Sequence, residues 1–465
     1  ALPIWAGKST IIKSIAGLLR FKGNILICGH KNKSLEAKRL LGYIPEMPVL
    51  YDMLTIWEHM EFIARAYSLK NWEGKANELF ERFELDDKKN KLGNELSKGM
   101  QQKVSICCGL LPNPRVLLFD EPLVGLDPHA IKELKLMLQE YKKDGASILL
   151  STHMLDSVSE FWDGTNIMMN GKFMARRTRK EVLGTGEDLE KLFFDITESK
   201  KESKEDVLYS TEVTYSRLQD AKSGKKTFAR NVKVKEKVTG IKKGIGSSTI
   251  FYKHLLEKKR ESRFLFVDSY TIIASIGAGI ASKYISSGVA GYIILAILIY
   301  IQFFGTMLGK LSMELKRPYI YMIPQKSLHK VVAASLTTLL KNVVDGILLF
   351  TVVCIITKTS PLVNAFLALA YASAGLFFVS FQLLAQRLFG GQPNKIISLT
   401  VGLGLFFILL SPGIGFSIFA VSVLPTTLTF LGTLPFTFSC VVISAFIFGF
   451  CGDLLDKAEY TIGSN

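Results

Sequence analysis

Residues 96–127, LSKGMQQKVSICCGLLPNPRVLLFDEPLVGLD, place the tightest constraint on the fold. A Ser-Lys-Gly turn opens a helical stretch and a Pro-containing loop follows. Val116, Leu117, Leu118 and Phe119 then form an unbroken apolar run that ends on Asp120 and Glu121. Such a run without alternation reads as a strand buried on both faces of a parallel sheet. Open α/β sheets bind ligands at the carboxyl ends of their strands, which is where these two acids fall. Adjacent carboxylates there suit nucleotide chemistry: one holds Mg²⁺ and the next polarises a water.

A second phosphate-binding signal lies at the start of the chain. Gly7, Lys8, Ser9 and Thr10 match the end of GxxxxGK[ST], and the periodic apolar run 11–19 supplies the helix that should follow. Backbone N–H groups and that helix's N-terminus would cradle phosphates, Lys8 would reach the terminal ones, and Ser9 would ligate Mg²⁺. The loop departs from its pattern at Leu2, where a glycine is required, and at Ile4 and Trp5, where small or polar residues let the loop close. Bulky side chains do not suit a loop that needs positive φ and close backbone approach. Three readings follow: the chain is an N-terminal fragment, its first six residues are not native, or the site is degenerate.

At 465 residues the chain is too long for one ordinary domain. Its hydrophobic share of 48% and mean hydropathy of +0.26 are high for a soluble protein, and the excess lies beyond Arg263. Six apolar segments there, at 264–282, 289–308, 335–356, 362–384, 396–424 and 426–450, are each near the ~20 residues that cross a bilayer. Pro412 interrupts the fifth, predicting a kink or a re-entrant segment. The net charge of +16 is concentrated in residues 200–263 and in alternate loops, the pattern of cytoplasmic flanks rather than of a nucleic-acid surface. Alternation of those loops places both termini on the cytoplasmic side. The six cysteines form no CxxC pair and no metal-like cluster, which argues against a disulfide framework or a zinc site.

Taken together, residues 96–127 resemble the signature motif, Walker B motif and D-loop of an ATP-binding cassette (ABC) ATPase, in that order. The family's Leu-Ser-Gly-Gly-Gln stands here as Leu96, Ser97, Lys98, Gly99 and Met100. Gly125, Leu126, Asp127 and Pro128 resemble the D-loop, and GYIPEMP at 42–48 resembles the Q-loop with Glu46 in place of glutamine. His153, directly after the apolar strand 147–150, stands where the family keeps its switch histidine. The resemblance implies an α/β P-loop NTPase cassette, incomplete at its N-terminus, followed by an all-α transmembrane domain of about six helices. The domain boundaries are residues 1–197 for the cassette, 198–248 for a basic linker and 249–460 for a permease.

What the resemblance implies for the site is specific. ATP and Mg²⁺ are the cofactors. Ser9 and Asp120 serve the metal, Glu121 is the general base and His153 senses the γ-phosphate. Gly7, Lys8, Ser9, Thr10 and Glu46 bind nucleotide from one side; Ser97, Lys98, Gly99, Met100 and Asp127 bind it from a partner cassette. The partners are therefore a second ABC subunit, identical or different, the lipid bilayer and an unknown cargo, with no nucleic acid. The chain reads as a multi-pass cell-membrane exporter unit, and a non-catalytic regulatory or assembly protein is the alternative. The helix 250–260 has apolar positions against a basic face, suiting the inner leaflet or a solvated linker. Residues 313–324, MELKRPYIYMIP, resemble a segment of a bacterial ABC exporter permease family and are the candidate coupling element near Glu46, or a membrane-surface anchor. Lys341 and Asp345, i,i+4 in the third span, serve a pathway or neutralise each other.

Overall fold

The computed structural model describes residues 7–155, 158, 161–184, 189–198, 240–262, 264–285, 290–307, 309–389, 395–425 and 428–457. Leu2, Ile4 and Trp5 and most of the expected linker lie outside them. The chain divides into two compact units. The first comprises Ala1–Gly17, Gly23–Met60 and Asn71–Lys233; the second comprises Leu18–Lys22, Glu61–Lys70 and Val234–Asn465.

In the first unit, α1 (Lys8–Ile15) starts from Gly7, whose φ of +86° only glycine adopts without strain. A hairpin of β1 (Leu26–Ile27) and β2 (His30–Lys31) turns at Cys28 and Gly29, both at positive φ. Left-handed residues at both central positions suit a two-residue hairpin turn. Next come α2 (Leu35–Leu40), capped by Ser34, and β3 (Leu41–Ile44).

Helix α3 (Ile56–Tyr67) opens on a capping box: Thr55 N–H donates to the Glu58 carboxylate at 2.8 Å, and Glu58 N–H to the Thr55 hydroxyl at 3.2 Å. After α4 (Trp72–Arg82), α5 (Lys98–Leu110) begins at Ser97, whose hydroxyl accepts the Met100 N–H. Then β4 (Val116–Asp120), α6 (Pro128–Lys143) and β5 (Ser147–Ser151) complete a parallel sheet in the order β3-β4-β5.

Central β4 is buried on both faces: Leu117, Leu118 and Phe119 are at most 1% exposed. The apolar strand before His153 is less buried: in β5 Leu149 is 38% exposed and Ile148 and Leu150 are half-buried. The antiparallel pair β6 (Gly164–Met169) and β7 (Lys172–Thr178) leads to α7 (Arg179–Gly184) and α8 (Leu189–Glu198).

The second unit is helical. Its helices are α9 (Ser248–Glu261), α10 (Ser269–Tyr284), α11 (Ala290–Met307), the short α12 (Lys310–Leu315) and α13 (Pro318–Met322), α14 (Ser327–Thr357), α15 (Pro361–Phe389), α16 (Lys395–Val423), α17 (Leu434–Phe450) and α18 (Leu454–Lys457). Five helical stretches among the described residues are long and apolar enough to cross a membrane: Gly291–Leu315, Ser327–Thr357, Pro361–Phe389, Thr400–Val423 and Thr429–Phe450. The first of the six expected spans is shorter. It begins only at Asp268, which caps α10 by accepting the Thr271 N–H at 3.1 Å. Its 16 residues reach only about 24 Å at 1.5 Å per residue, against a hydrocarbon core of ~30 Å. Helix α16 runs unbroken through Pro412, so the expected re-entrant break is absent. Phe377, Phe378, Phe381 and Phe406 stack at the centre of the bundle's apolar core.

Helix α9 corrects the amphipathic reading. Its buried residues are Thr249, Ile250, Lys253, His254, Leu256 and Glu257, so charge points inward. Glu314 of α12 accepts from both Lys253 and His254, which neutralises the buried ammonium and removes the need for lipid or solvent on that face.

Packing of β3 in the first unit gives a direct test. A Cβ on Gly42 would lie 2.7 Å from Pro114 Cγ and 2.9 Å from the Gly109 carbonyl oxygen, whereas one on Gly74 in α4 meets nothing within 4 Å. Gly42→Ala should destabilise the first unit by about 1–3 kcal/mol, while Gly74→Ala stabilises it by ~0.5–1 kcal/mol. The shift of that unit's thermal transition measures both.

Candidate nucleotide site

The parallel register pairs Phe119 with Leu150 and Asp120 with Ser151, bringing the two strand ends level. Five of the predicted site residues converge there. Lys8 Nζ stands 3.0 Å from Glu121 Oε1 and donates to the Thr152 carbonyl at 3.5 Å. The Ser9 hydroxyl donates to Asp120 Oδ1 at 2.8 Å. His153 holds the other Glu121 oxygen twice, with Nδ1 at 2.9 Å and its backbone N–H at 3.2 Å. Glu121 itself adopts φ +50°, a left-handed backbone that non-glycine residues rarely hold without a surrounding network to fix it.

Ser151 was not singled out from sequence. Its hydroxyl donates to Asp120 Oδ1 at 2.9 Å and accepts the Glu121 N–H at 3.2 Å, so it orients both acids. The only sequence signal was its place at the end of an apolar strand directly before Thr152 and His153. With Ser9 and Ser151 both on Oδ1, the second Asp120 oxygen is buried and makes no hydrogen bond. An unspent carboxylate oxygen beside the Ser9 hydroxyl is the donor set a hard cation such as Mg²⁺ takes. The residues therefore fit the metal.

Electrostatics push Glu121 and Glu46 in opposite directions. Burial alone would push Glu121 up, but the His153 hydrogen bond and the Lys8 charge outweigh it and hold the carboxyl below the usual range. His153 is shifted up, chiefly by its hydrogen bond to Glu121. Glu46, in the Q-loop position, is shifted up by burial and then by the charges of Asp120 and Glu121.

Gly7 caps α1 and Thr10 lies in its first turn, whereas Ser97, Lys98, Gly99, Met100 and Asp127 form a second group. Ser97 caps α5, and Ser97 and Lys98 are exposed. Gly99 packs so closely on the D-loop that a Cβ would lie 2.7 Å from the Gly125 carbonyl oxygen. Asp127 caps α6 by accepting the Ala130 N–H at 2.9 Å and pairs with Lys103 Nζ at 2.7 Å. Lys103, one turn into α5, was also missed: nothing in its local pattern points to a partner 24 residues ahead.

This geometry accords with the chain's relatives. Residues 6–124 match the family described as "ABC transporter", and residues 204–459 match the family described as "Putative ABC exporter". The chain is 41% identical over 182 residues to the ABC-type transporter ATP-binding protein EcsA of Bacillus subtilis, covering 38% of this chain and 74% of that one. It is 37% identical to the uncharacterized ABC transporter ATP-binding protein YthP of the same organism, covering 38% and 72%. Identity is 33% to its SkfA peptide export ATP-binding protein SkfE, covering 37% and 73%. The chain belongs to the ABC transporters, with an ATP-binding cassette joined in one polypeptide to an export-family membrane domain.

Two pH effects follow. Glu46 should protonate above the pH usual for a glutamate, so ATPase activity should fall as pH drops through that raised value. Glu46→Gln, fixed in the neutral form, should lose this acid limb in a pH–rate profile. The raised His153 value means that its pairing stabilises the fold fully below the unfolded histidine pKa and is lost as pH rises through the folded one. His153→Ala should therefore lower the melting temperature more at pH 6 than at pH 9.

Proposed function

We propose that the chain is an ATP-hydrolysing exporter subunit in which two cassettes clamp nucleotide between them and drive cargo across the membrane. The observation that carries this reading is the Glu121 carboxylate, strained in backbone and held between Lys8 and His153 beside a half-free Asp120. In this arrangement Lys8 is neutralised by the acid that would act as base. An incoming triphosphate competes for the Lys8 ammonium, and Glu121 Oε1 is then released to accept a proton from water. His153 stays on Oε2 and keeps the carboxylate oriented.

Ser9 and Asp120, with Glu46 close by, would hold Mg²⁺. That ion would supply charge neutralisation on the phosphates. The signature residues Ser97 and Gly99 of a second subunit, identical or different, would close the site. The basic flanks of the apolar helices favour a cytoplasmic cassette with both termini on the same side. The same assignment makes 1–197 the cassette and 249–460 the permease, joined by the basic segment 198–248.

The test is Glu121→Gln in the full-length protein. The variant should retain ATP through gel filtration, shift to a dimer, and lose ATPase activity by about 10²–10⁴-fold. Near-normal phosphate release by this variant would remove Glu121 from the role. Unaltered protein that holds ATP without turnover would instead support the non-catalytic reading.

A further inference from the structure

The Q-loop position of this chain carries an acid, Glu46, where the family form has glutamine, and the sheet brings that acid to the nucleotide rim. Strand β3 pairs with β4 in parallel, Ile44 beside Phe119, and β4 pairs with β5, Phe119 beside Leu150. Glu46, Glu121 and Thr152 each stand two residues beyond those level positions. Three neighbouring strand ends thus present Glu46, Asp120 with Glu121, and His153 along one edge, all within the first unit.

The three acids are not equally committed. Glu121 gives one oxygen to Lys8 and the other to His153, so it is spent within the chain. Asp120 is fully buried; Ser9 and Ser151 both donate to its Oδ1, and its Oδ2 has no hydrogen-bond partner. Glu46 is half-buried, and its carboxylate makes no hydrogen bond with a described residue. Of the charges that reach Glu46, those of Asp120 and Glu121 outweigh those of Lys13 and His153. Holding like charges together at a partly desolvated rim costs free energy that a cation placed between them returns.

The exchange of glutamine for glutamate matters for that cation. A glutamine offers one neutral carbonyl oxygen, whereas a carboxylate adds a full charge. Affinity of oxygen sites for hard dications rises with the number of charged ligands.

We propose that Glu46 turns this rim into a divalent-cation site that fills before nucleotide arrives, with Asp120, Glu46 and the Ser9 hydroxyl as its oxygen donors. The proposal rests on the nucleotide-site reading above and goes beyond it: the protein's own acids hold the metal, and the triphosphate meets it in place. Lys8 stays on Glu121 meanwhile, because Glu121 is not among the donors.

The experiment dialyses chelator-treated, full-length protein to equilibrium against Mn²⁺, a dication that oxygen ligands suit as they do Mg²⁺, and measures the protein-bound metal with and without ATP. Unaltered protein should bind Mn²⁺ without nucleotide, and excess Mg²⁺ should displace it. Glu46→Gln should weaken that binding by about tenfold or more, and Asp120→Asn should abolish it. With ATP present, Glu46→Gln should bind Mn²⁺ again, since the phosphates supply the missing charge. The exposed group Glu84, Asp127 and His129 is another place where described side chains could take the ion, and binding there would survive both variants. Nucleotide-free binding that is equal in unaltered protein and Glu46→Gln overturns the proposal. So does its absence from unaltered protein that binds Mn²⁺ with ATP, a result that leaves the nucleotide site standing; absence in both conditions defeats the nucleotide reading as well. Should Glu46→Gln bind no Mn²⁺ even with ATP, Glu46→Asp decides: nucleotide-free binding by this charge-keeping variant supports the site, and its loss overturns it.

Discussion

The register between β4 and β5 is the constraint on which the nucleotide site depends. Pairing Asp120 with Ser151 puts two acids and the Ser-Thr-His run at one level, on strands whose side chains alternate in direction. A slip of one residue would turn every side chain of β5 to the opposite face and take His153 away from Glu121. The alternation within β5 specifies the register: Ile148 and Leu150 are half-buried, whereas Ser147 and Leu149 are exposed. The apolar residues that carry no chemistry thus set the coordinates of those that do.

Both units pair their buried charges, partly within one helix and partly with distant segments. Glu121 is held by Lys8 and His153, which lie 113 and 32 residues away. In the second unit the pairs form an alternating series. Glu314 meets Lys253, which meets Glu257; Glu257 and Glu261 share Lys310; Lys258 joins Glu261 to Asp268; and Lys341 joins Asp268 to Asp345. Removing one member of such a series leaves its neighbour charged and unpaired in a poorly hydrated place, which costs far more than a surface pair contributes. Lys341 lies 2.7 Å from Asp345 and 3.2 Å from Asp268, so this pair of the third span is an anchor for the capped start of α10.

These partnerships explain what could and could not be read from sequence. Asp120, Glu121, Lys8, Ser9 and His153 were legible because each sits in a short local pattern: a strand end, or a glycine-lysine turn before a helix. Ser151 and Lys103 were not, since their roles exist only once strands and helices are assembled. The buried face of α9 was misread for the same reason. Periodicity assigns charged residues to solvent, and the partner that lets Lys253 and His254 turn inward is Glu314, 60 residues or more away. Apolar length located the bundle's helices well but missed where the first begins, because a single side-chain cap at Asp268 overrides hydrophobicity there.

The two groups of predicted site residues differ in how far they are satisfied within the chain. Around Glu121, the charges are matched within one chain. At the start of α5, Ser97 and Lys98 are exposed, no acidic residue occupies the first turn, and the helix continues for 13 residues. Its N-terminus therefore presents partial positive charge, reinforced by Lys98, with only the Ser97 hydroxyl drawn back onto the Met100 N–H. Gly99, pressed against the Gly125 carbonyl, leaves no side chain in the way of a close approach from outside. A helix end of this kind complements an anion.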